Sequence, residues 1–391
     1  MNFFYQSLAK ASSLPNVVAG QDIKLKPDLI LGHDGTWPKV LTAWKNSGYK
    51  LADQAKVVVT LDHAYPAPSI SDRMFHQELY QLGKEKDLKL YTHGEGVLHQ
   101  VLAEEETLSP GMIIVGADGH VATAGAFGVL AFSLSAEQLI TPLETGYFTL
   151  IVPELVNITI ENNPRANVSA RDIALKILGT LSGEIKGKAV ALSGSYFEQA
   201  SMDSKMALCN LLPEGGVVTA FIIPTPEKGE GLDFTIDAGS LEPMIAVPPA
   251  PTSVLPVKNL KGRNITVAII GGCSAGRLED MKVCASVLEG KTVHPQVTLI
   301  ITPASRTVAN KMDELGLSTI LRSSGAVIMP PGCGPCPGKH FGLLSPWDTA
   351  ITTTIRNSPG RIGSEDAEIY LASPLTVAQS ALRGKISEPR Q

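Results

Sequence analysis

Short runs of Val, Ile and Leu alternate along this chain with longer stretches whose apolar residues recur every three or four positions. The continuous runs predict strands at Asp28–Leu31, Val57–Leu61, Met112–Val115, Lys188–Leu192, Thr266–Ile270, Val297–Ile301 and Ala326–Met329. The periodic stretches predict helices at Ser71–Leu82, Ala170–Leu181, Leu278–Leu288, Ala304–Glu314 and Thr376–Leu382. Strands that are apolar on both faces and alternate with helices belong to parallel sheets covered on both sides. The fold class is therefore α/β, with three α/β/α domains expected at 1–164, 165–242 and 243–391. The last boundary rests on Pro243–Val257, where five prolines in fifteen residues exclude a helix interior or a central strand.

In open parallel sheets, ligands sit beyond the carboxyl ends of the strands. Val57–Leu61 runs into Asp62-His63, and Met112–Val115 runs into Asp118-Gly119-His120. Thr266–Ile270 runs into Gly271-Gly272-Cys273, and Ala326–Met329 into Pro330-Pro331-Gly332-Cys333. Four strand ends thus deliver His, Asp or Cys where a site would lie.

At 391 residues and 44% hydrophobic content the chain exceeds a single compact core. No apolar run reaches the roughly 18 residues of a membrane-spanning helix. The start, MNFFYQSLAKASS, lacks the basic and apolar stretches of a signal peptide. A soluble, cytoplasmic protein is expected. A net charge of −5 gives no footprint for nucleic acid or an anionic membrane.

Five cysteines in so long a chain suggest no disulfide framework, so clustered thiols point to metal or redox chemistry. Cys333-Gly-Pro-Cys336 taken alone is also the redox motif of thioredoxin-like proteins, but it lies late in a long chain, behind Pro330-Pro331-Gly332. Cys273, in a Gly-Gly-Cys-Ser-Ala-Gly turn, makes a third candidate ligand. Three thiolates suit zinc or an iron–sulfur cluster. Cys209 and Cys284 lie in helical patterns and read as small buried hydrophobes. His93 and His340 carry no spacing argument and read as structural or surface residues.

These motifs resemble the aconitase superfamily, and most closely its isopropylmalate dehydratase large subunits. Gly271–Met281 looks like the turn of the first cluster cysteine, Gly332–Gly338 like the paired-cysteine motif, and Arg356–Gly363 like the substrate-arginine segment. Leu61–His63, Gly94–Gln100, Gly116–His120, Ser201–Glu214 and the tail Ala367–Arg390 match further blocks. The resemblance implies three domains around a central 4Fe-4S cluster on Cys273, Cys333 and Cys336, with one iron open to substrate. It implies that His63, paired with Asp62, protonates a leaving hydroxyl, the carboxylate neighbour favouring the charged ring. His99, Asp118, His120 and Glu214 match residues ordering the hydroxyl or water. His33 and Asn210 match positions lining the cleft or near the cluster, and Arg356 and Arg361 match clamps for substrate carboxylates.

The resemblance further implies reversible dehydration or isomerisation of a malate-type hydroxy acid such as isopropylmalate, as in leucine biosynthesis. The family's swivel domain, with its catalytic serine, has no counterpart here, so a separate small subunit and a heterodimer are expected. Gly119, Ala275 and Ile355 stand where the family carries polar residues, which suggests the same chemistry on a different 2-alkylmalate. Readings of another class are a non-catalytic cluster-binding protein and a zinc-binding protein.

Overall fold

The computed structural model describes residues 2–224 and 232–389. Three sheets carry the architecture. The first is fully parallel, in the order Lys89–Tyr91, Val57–Thr60, Leu29–His33, Ile113–Gly116, Leu130–Ser133. The second is also parallel, in the order Thr219–Ile222, Ala189–Ser193, Leu155–Glu161, Leu232–Asp237. The third has seven strands, in the order Val254–Pro256, Met244–Ala246, Glu368–Ala372, Thr349–Thr352, Val267–Gly271, Thr298–Thr302, Val327–Ile328, antiparallel only at its first two pairings. A small antiparallel pair, Asp22–Leu25 with Phe148–Ile151, completes the strands among the described residues.

Each of the seven strands expected from sequence is present, shifted by one or two residues. The expected helices correspond to Ile70–Lys86, Ala170–Ile185, Leu278–Leu288, Arg306–Glu314 and Pro374–Arg383. The fourth begins two residues later than the pattern because Ser305 caps it, its hydroxyl accepting the Val308 amide at 3.1 Å. The middle sheet shows why both-face apolar strands mark a buried sheet. Ala189 and Ala191 pack into the core of the first sheet, while Val190 and Leu192 face the core that holds the helix Ala170–Ile185.

Two expectations about the chain's organisation need correction. The strand Leu155–Glu161 lies ahead of residue 164 but pairs only within the second sheet. The proline-rich stretch Pro243–Val257 is a β-hairpin rather than a linker, and Met244–Ala246 is an internal strand between Val254–Pro256 and Glu368–Ala372. Pro248, Pro249 and Pro251 fall in the turn, Pro256 ends the outer strand, and Pro243 stands just ahead of the internal one. No helix among the described residues is long and apolar enough to cross a membrane.

Candidate active site

The carboxyl ends of strands from the first and third sheets converge on one cavity of about 190 Å³. Asp34, just past the strand Leu29–His33, arranges the neighbouring strand end. Its Oδ1 accepts the amides of Asp62 (3.0 Å) and His63 (2.8 Å), and its Oδ2 accepts that of Ala64 (2.8 Å). Burial works to raise this carboxyl, but His76, His63 and the amides overcome it and hold it well below the usual range.

Asp62 Oδ1 lies 2.5 Å from His63 Nδ1, and its Oδ2 accepts the Leu98 amide at 2.8 Å. Burial pushes the Asp62 carboxyl up to about 7, with His33 drawing it down and Asp34 driving it up. Burial also holds the His63 ring below its ordinary value, against the attraction of Asp34 and Asp118. The sequence expectation of a charged ring held by its carboxylate neighbour is therefore corrected. Desolvation outweighs attraction at His63, and the two side chains meet in a short hydrogen bond. The His63 ring stacks on His33 at 4.1 Å and 8°. Only glycine fits at position 35 beneath them, since an added Cβ would lie 2.6 Å from His63 Cδ2.

A second chain of ionisable groups forms the opposite wall. Asp118 Oδ2 meets His99 Nε2 at 2.7 Å, and its Oδ1 meets His120 Nδ1 at 3.1 Å. His120 Nε2 reaches Glu214 Oε1 at 3.0 Å, and Arg356 Nε donates to both Glu214 oxygens at 2.9 and 3.1 Å. Burial opposes charge on His120, but Asp118 and Glu214 raise it to about 9, so the ring is an imidazolium at neutral pH. Asp118 is held well below the carboxylate range and Glu214 is lowered, each by His120 against its own burial. His99, dominated by burial, is pulled down toward the neutral ring.

The raised His120 value carries a stability consequence. Its contribution is fully present below the unfolded value of 6.5 and is lost as pH rises through about 9. Cluster-free wild-type protein should lose stability over that window, by at most on the order of 3 kcal/mol. Urea unfolding of His120→Gln at pH 6.5 and pH 9.5 should show this slope flattened; an unchanged slope would show that the imidazolium is not the source.

Three thiols complete the cavity. Cys273 follows Gly271-Gly272, and Gly271 has φ 141° with Thr302 O so close that a Cβ would sit 2.1 Å from it. The Cys333 amide donates to the Asp62 carbonyl at 2.9 Å, and its Sγ lies 3.6 Å from His63 Nδ1. Cys273 Sγ is 3.9 Å from Asn210 Oδ1, and Arg361 Nη2 is 3.8 Å from Cys336 Sγ. Each cysteine is 8% exposed, and burial pushes Cys273 up to about 12 and Cys333 well above the ordinary thiol value. A raised Cys333 thiol is the reverse of what an activated redox cysteine needs, so the thioredoxin-like reading gains no support here.

The expected site residues thus fall into two shells. His63, His99, Asp118, His120, Cys273, Cys333, Cys336, Arg356 and Arg361 line the cavity. Asp62 and Glu214 stand behind it, each gripping a lining side chain. His33 and Asn210, grouped from sequence with substrate contacts, do not line it. His33 is the buried end of a central strand, and Asn210, on the buried face of the helix Met202–Leu211, donates to Thr123 Oγ1 at 2.9 Å. Of the three departures from the family pattern, only Ile355 lines the cavity. Ala275 faces a separate 560 Å³ crevice, and Gly119 leaves open space, with Pro213 Cβ 3.9 Å from where its Cβ would be. Sequence reasoning missed Asp34, Gly35 and His76; His-Asp-Gly after a strand was the available signal for the first two.

The model of the aconitase family (aconitate hydratase) matches residues 8–230 and 232–384. A probable methanogen homoaconitase large subunit of Methanothermobacter thermautotrophicus is 33% identical, covering 100% of this chain and 98% of its own. A 3-isopropylmalate dehydratase large subunit of Methanopyrus kandleri is 35% identical, covering 98% and 97%. That of Thermococcus kodakarensis is 36% identical, covering 95% and 96%. Among solved structures, Thermococcus kodakaraensis aconitase X in its holo-form superposes with a TM-score of 0.53 at 11% identity, covering 90% of this chain and 89% of its own, a likeness of fold alone. With the family model spanning nearly the whole chain and relatives at 33 to 36% identity aligned end to end, the chain belongs to the aconitase family and is a hydro-lyase of that family.

Proposed function

We propose that this chain is the large subunit of an iron–sulfur hydro-lyase that reversibly dehydrates, and so isomerises, a malate-type hydroxy acid such as isopropylmalate. The observation that carries the reading is that three buried thiols and two arginines open onto the same cavity as an ordered His–carboxylate network. The thiols fit a polynuclear cluster better than one metal ion. Sulfurs on a single tetrahedral zinc with bonds near 2.3 Å lie about 3.8 Å apart. Among the described residues, no group with all ligand atoms within 4.8 Å of one another contains these cysteines. Burial raises Cys273 and Cys333, so these two need a strong cationic ligand before they become thiolates.

When bound to Cys273, Cys333 and Cys336, a 4Fe-4S cluster supplies one iron with an open position as Lewis acid toward the substrate hydroxyl. His63 holds its Nδ1 against Asp62, which leaves Nε2 to deliver a proton to the departing hydroxyl. His120 is fixed in its charged form between Asp118 and Glu214, and orients the hydroxyl or water. Arg361 has a buried Nε without a partner in the described structure, and so keeps a donor for a substrate carboxylate. Arg356 is already bound to Glu214 through Nε and reaches toward the open side, its side chain 41% exposed.

A small partner subunit carrying the catalytic serine completes the site in this reading, giving a heterodimer. The relatives are named as large subunits. The one serine lining the cavity, Ser274, has its hydroxyl committed to the Thr353 carbonyl at 2.5 Å. Unpaired buried thiols suit a reducing compartment, the cytoplasm. Ile355 adds apolar surface to the cavity and favours, as second reading, the same chemistry on another 2-alkylmalate in a specialised pathway.

The test is turnover of isopropylmalate and a series of 2-alkylmalates, followed by alkene absorbance, with the cluster-loaded chain alone and with a co-expressed small subunit. Activity is expected only with the partner. Turnover by the chain alone would remove the need for a partner serine. No turnover of any malate by a loaded, partnered enzyme would sink the substrate assignment.

A further inference from the structure

Behind the cysteines lie two guanidinium groups that the reaction does not use. Arg171, at the start of the helix Ala170–Ile185, is 3% exposed, and Arg277, just ahead of the helix Leu278–Leu288, is 1% exposed. Arg277 Nη2 donates to the Cys273 carbonyl at 2.5 Å and Nη1 to the Ser274 carbonyl at 3.2 Å. Arg171 Nη2 donates to the carbonyl of Thr354, in the segment that leads to Arg356. The Nε atoms of both have no partner, and neither side chain forms an ion pair among the described residues.

Two nearby carboxylates could balance these cations, and neither does so fully. Asp172 spends its oxygens on the amides of Met244 and Ser169 and on the Ser169 hydroxyl, and burial pushes its carboxyl up. Asp280 accepts only the backbone amide of Arg277, at 3.0 Å, and burial raises it to about 7. Burial drags Arg171 down to about 10; Asp172, Asp280, Cys273 and Cys336 are the groups that draw it back up. A buried cation without an anion is among the most costly arrangements in a protein interior. The missing anion is supplied if Cys273, Cys333 and Cys336 hold a 4Fe-4S cluster, because three thiolates around that core carry a net negative charge.

We infer that Arg171 and Arg277 are built-in counter-charges for the cluster, with Arg277 also fixing the carbonyls of the Cys273 turn. This rests on the cluster reading above. They are positioning residues that touch no substrate. Their charge favours the more negative, reduced state of the cluster and holds it in the protein.

The experiment uses the full chain, both reconstituted and cluster-free, as wild type, Arg171→Gln, Arg171→Lys and Arg277→Lys. Glutamine keeps an N–H donor without the charge; the lysines keep the charge. In the loaded protein, the midpoint potential by redox titration should move to more negative values in Arg171→Gln and return toward wild type in Arg171→Lys. In the cluster-free protein, Arg171→Gln should melt at or above the wild-type temperature, because an uncompensated charge has been removed. Arg277→Lys should retain the wild-type potential even where its loosened turn speeds cluster loss. An unchanged potential in Arg171→Gln, or a cluster-free form destabilised as much as the loaded one, would overturn the inference and leave a purely structural arginine. A wild type that takes up no cluster would overturn it through the reading beneath it, a failure distinct from an unchanged potential.

Discussion

Cys333→Ala protein purified anaerobically should contain no cluster iron or acid-labile sulfide and turn over no substrate, whereas Cys284→Ala should retain both. Both thiols are buried, Cys284 at 0% and Cys333 at 8% exposed, and so small a margin does not by itself tell a ligand from a core residue. Their surroundings do. Cys284 is enclosed by the apolar core of the third sheet and is held as a neutral thiol by burial, with Asp280 adding to the effect. Cys333 opens onto the cavity beside His63, on a turn pinned by its amide to the Asp62 carbonyl. Its alanine variant removes one of three anchors and leaves the turn, whose backbone bond is kept. Close to four irons and four sulfides per wild-type chain are expected from a cubane. Zinc in their place, or iron retained by Cys333→Ala, would rule out the proposed ligand set.

The second large effect should come from Asp62→Asn, with kcat lowered roughly 10²- to 10⁴-fold, the range of a lost general acid. Asparagine can still accept the Leu98 amide, and the carbonyl that holds Cys333 is backbone, so iron content should not change. What disappears is the carboxyl that meets His63 Nδ1 at 2.5 Å. Iron analysis alongside kcat separates the two roles. A variant with full cluster and undiminished kcat would show that the pair is only a buried turn. Loss of iron together with activity would mean instead that Asp62 supports the cysteine turn.

Sequence reading picked out loops that meet at one cavity because strand ends in parallel sheets have a simple grammar. Runs apolar on both faces, followed by Gly, Asp, His or Cys, marked four of the loops that line the cavity. The proline-rich hairpin was misread because proline density reports what a segment cannot be internally and says little about its edges. Leu155–Glu161 escaped notice because Asn157 and Thr159 interrupt its apolar run, although Asn157 is buried and donates to Asp233 at 2.9 Å. The supporting residues were least legible. Arg171 and Arg277 stand at helix starts, where a charged residue normally reads as solvated; that they are buried without an ion pair is visible only in three dimensions. His33 showed the opposite difficulty. The family resemblance placed it at the cleft, yet the stacked His63 ring takes that place.

The contact between Cys333 and His63 spans 270 residues of chain. At ribosomal rates of about 5–20 residues per second, the acid end of the site waits on the order of tens of seconds before its sulfur neighbours have been synthesised. During that interval the first sheet can fold around Asp34, whose partners His63, Ala64 and His76 are all local to it. The metal end has no such head start, since Cys273 and the Cys333–Cys336 pair must first be brought together by the third sheet. The proposed cluster thus implies an order of maturation: the His63 end can be set in place on the ribosome, whereas a cluster could be held by all three thiols only after the third sheet has closed.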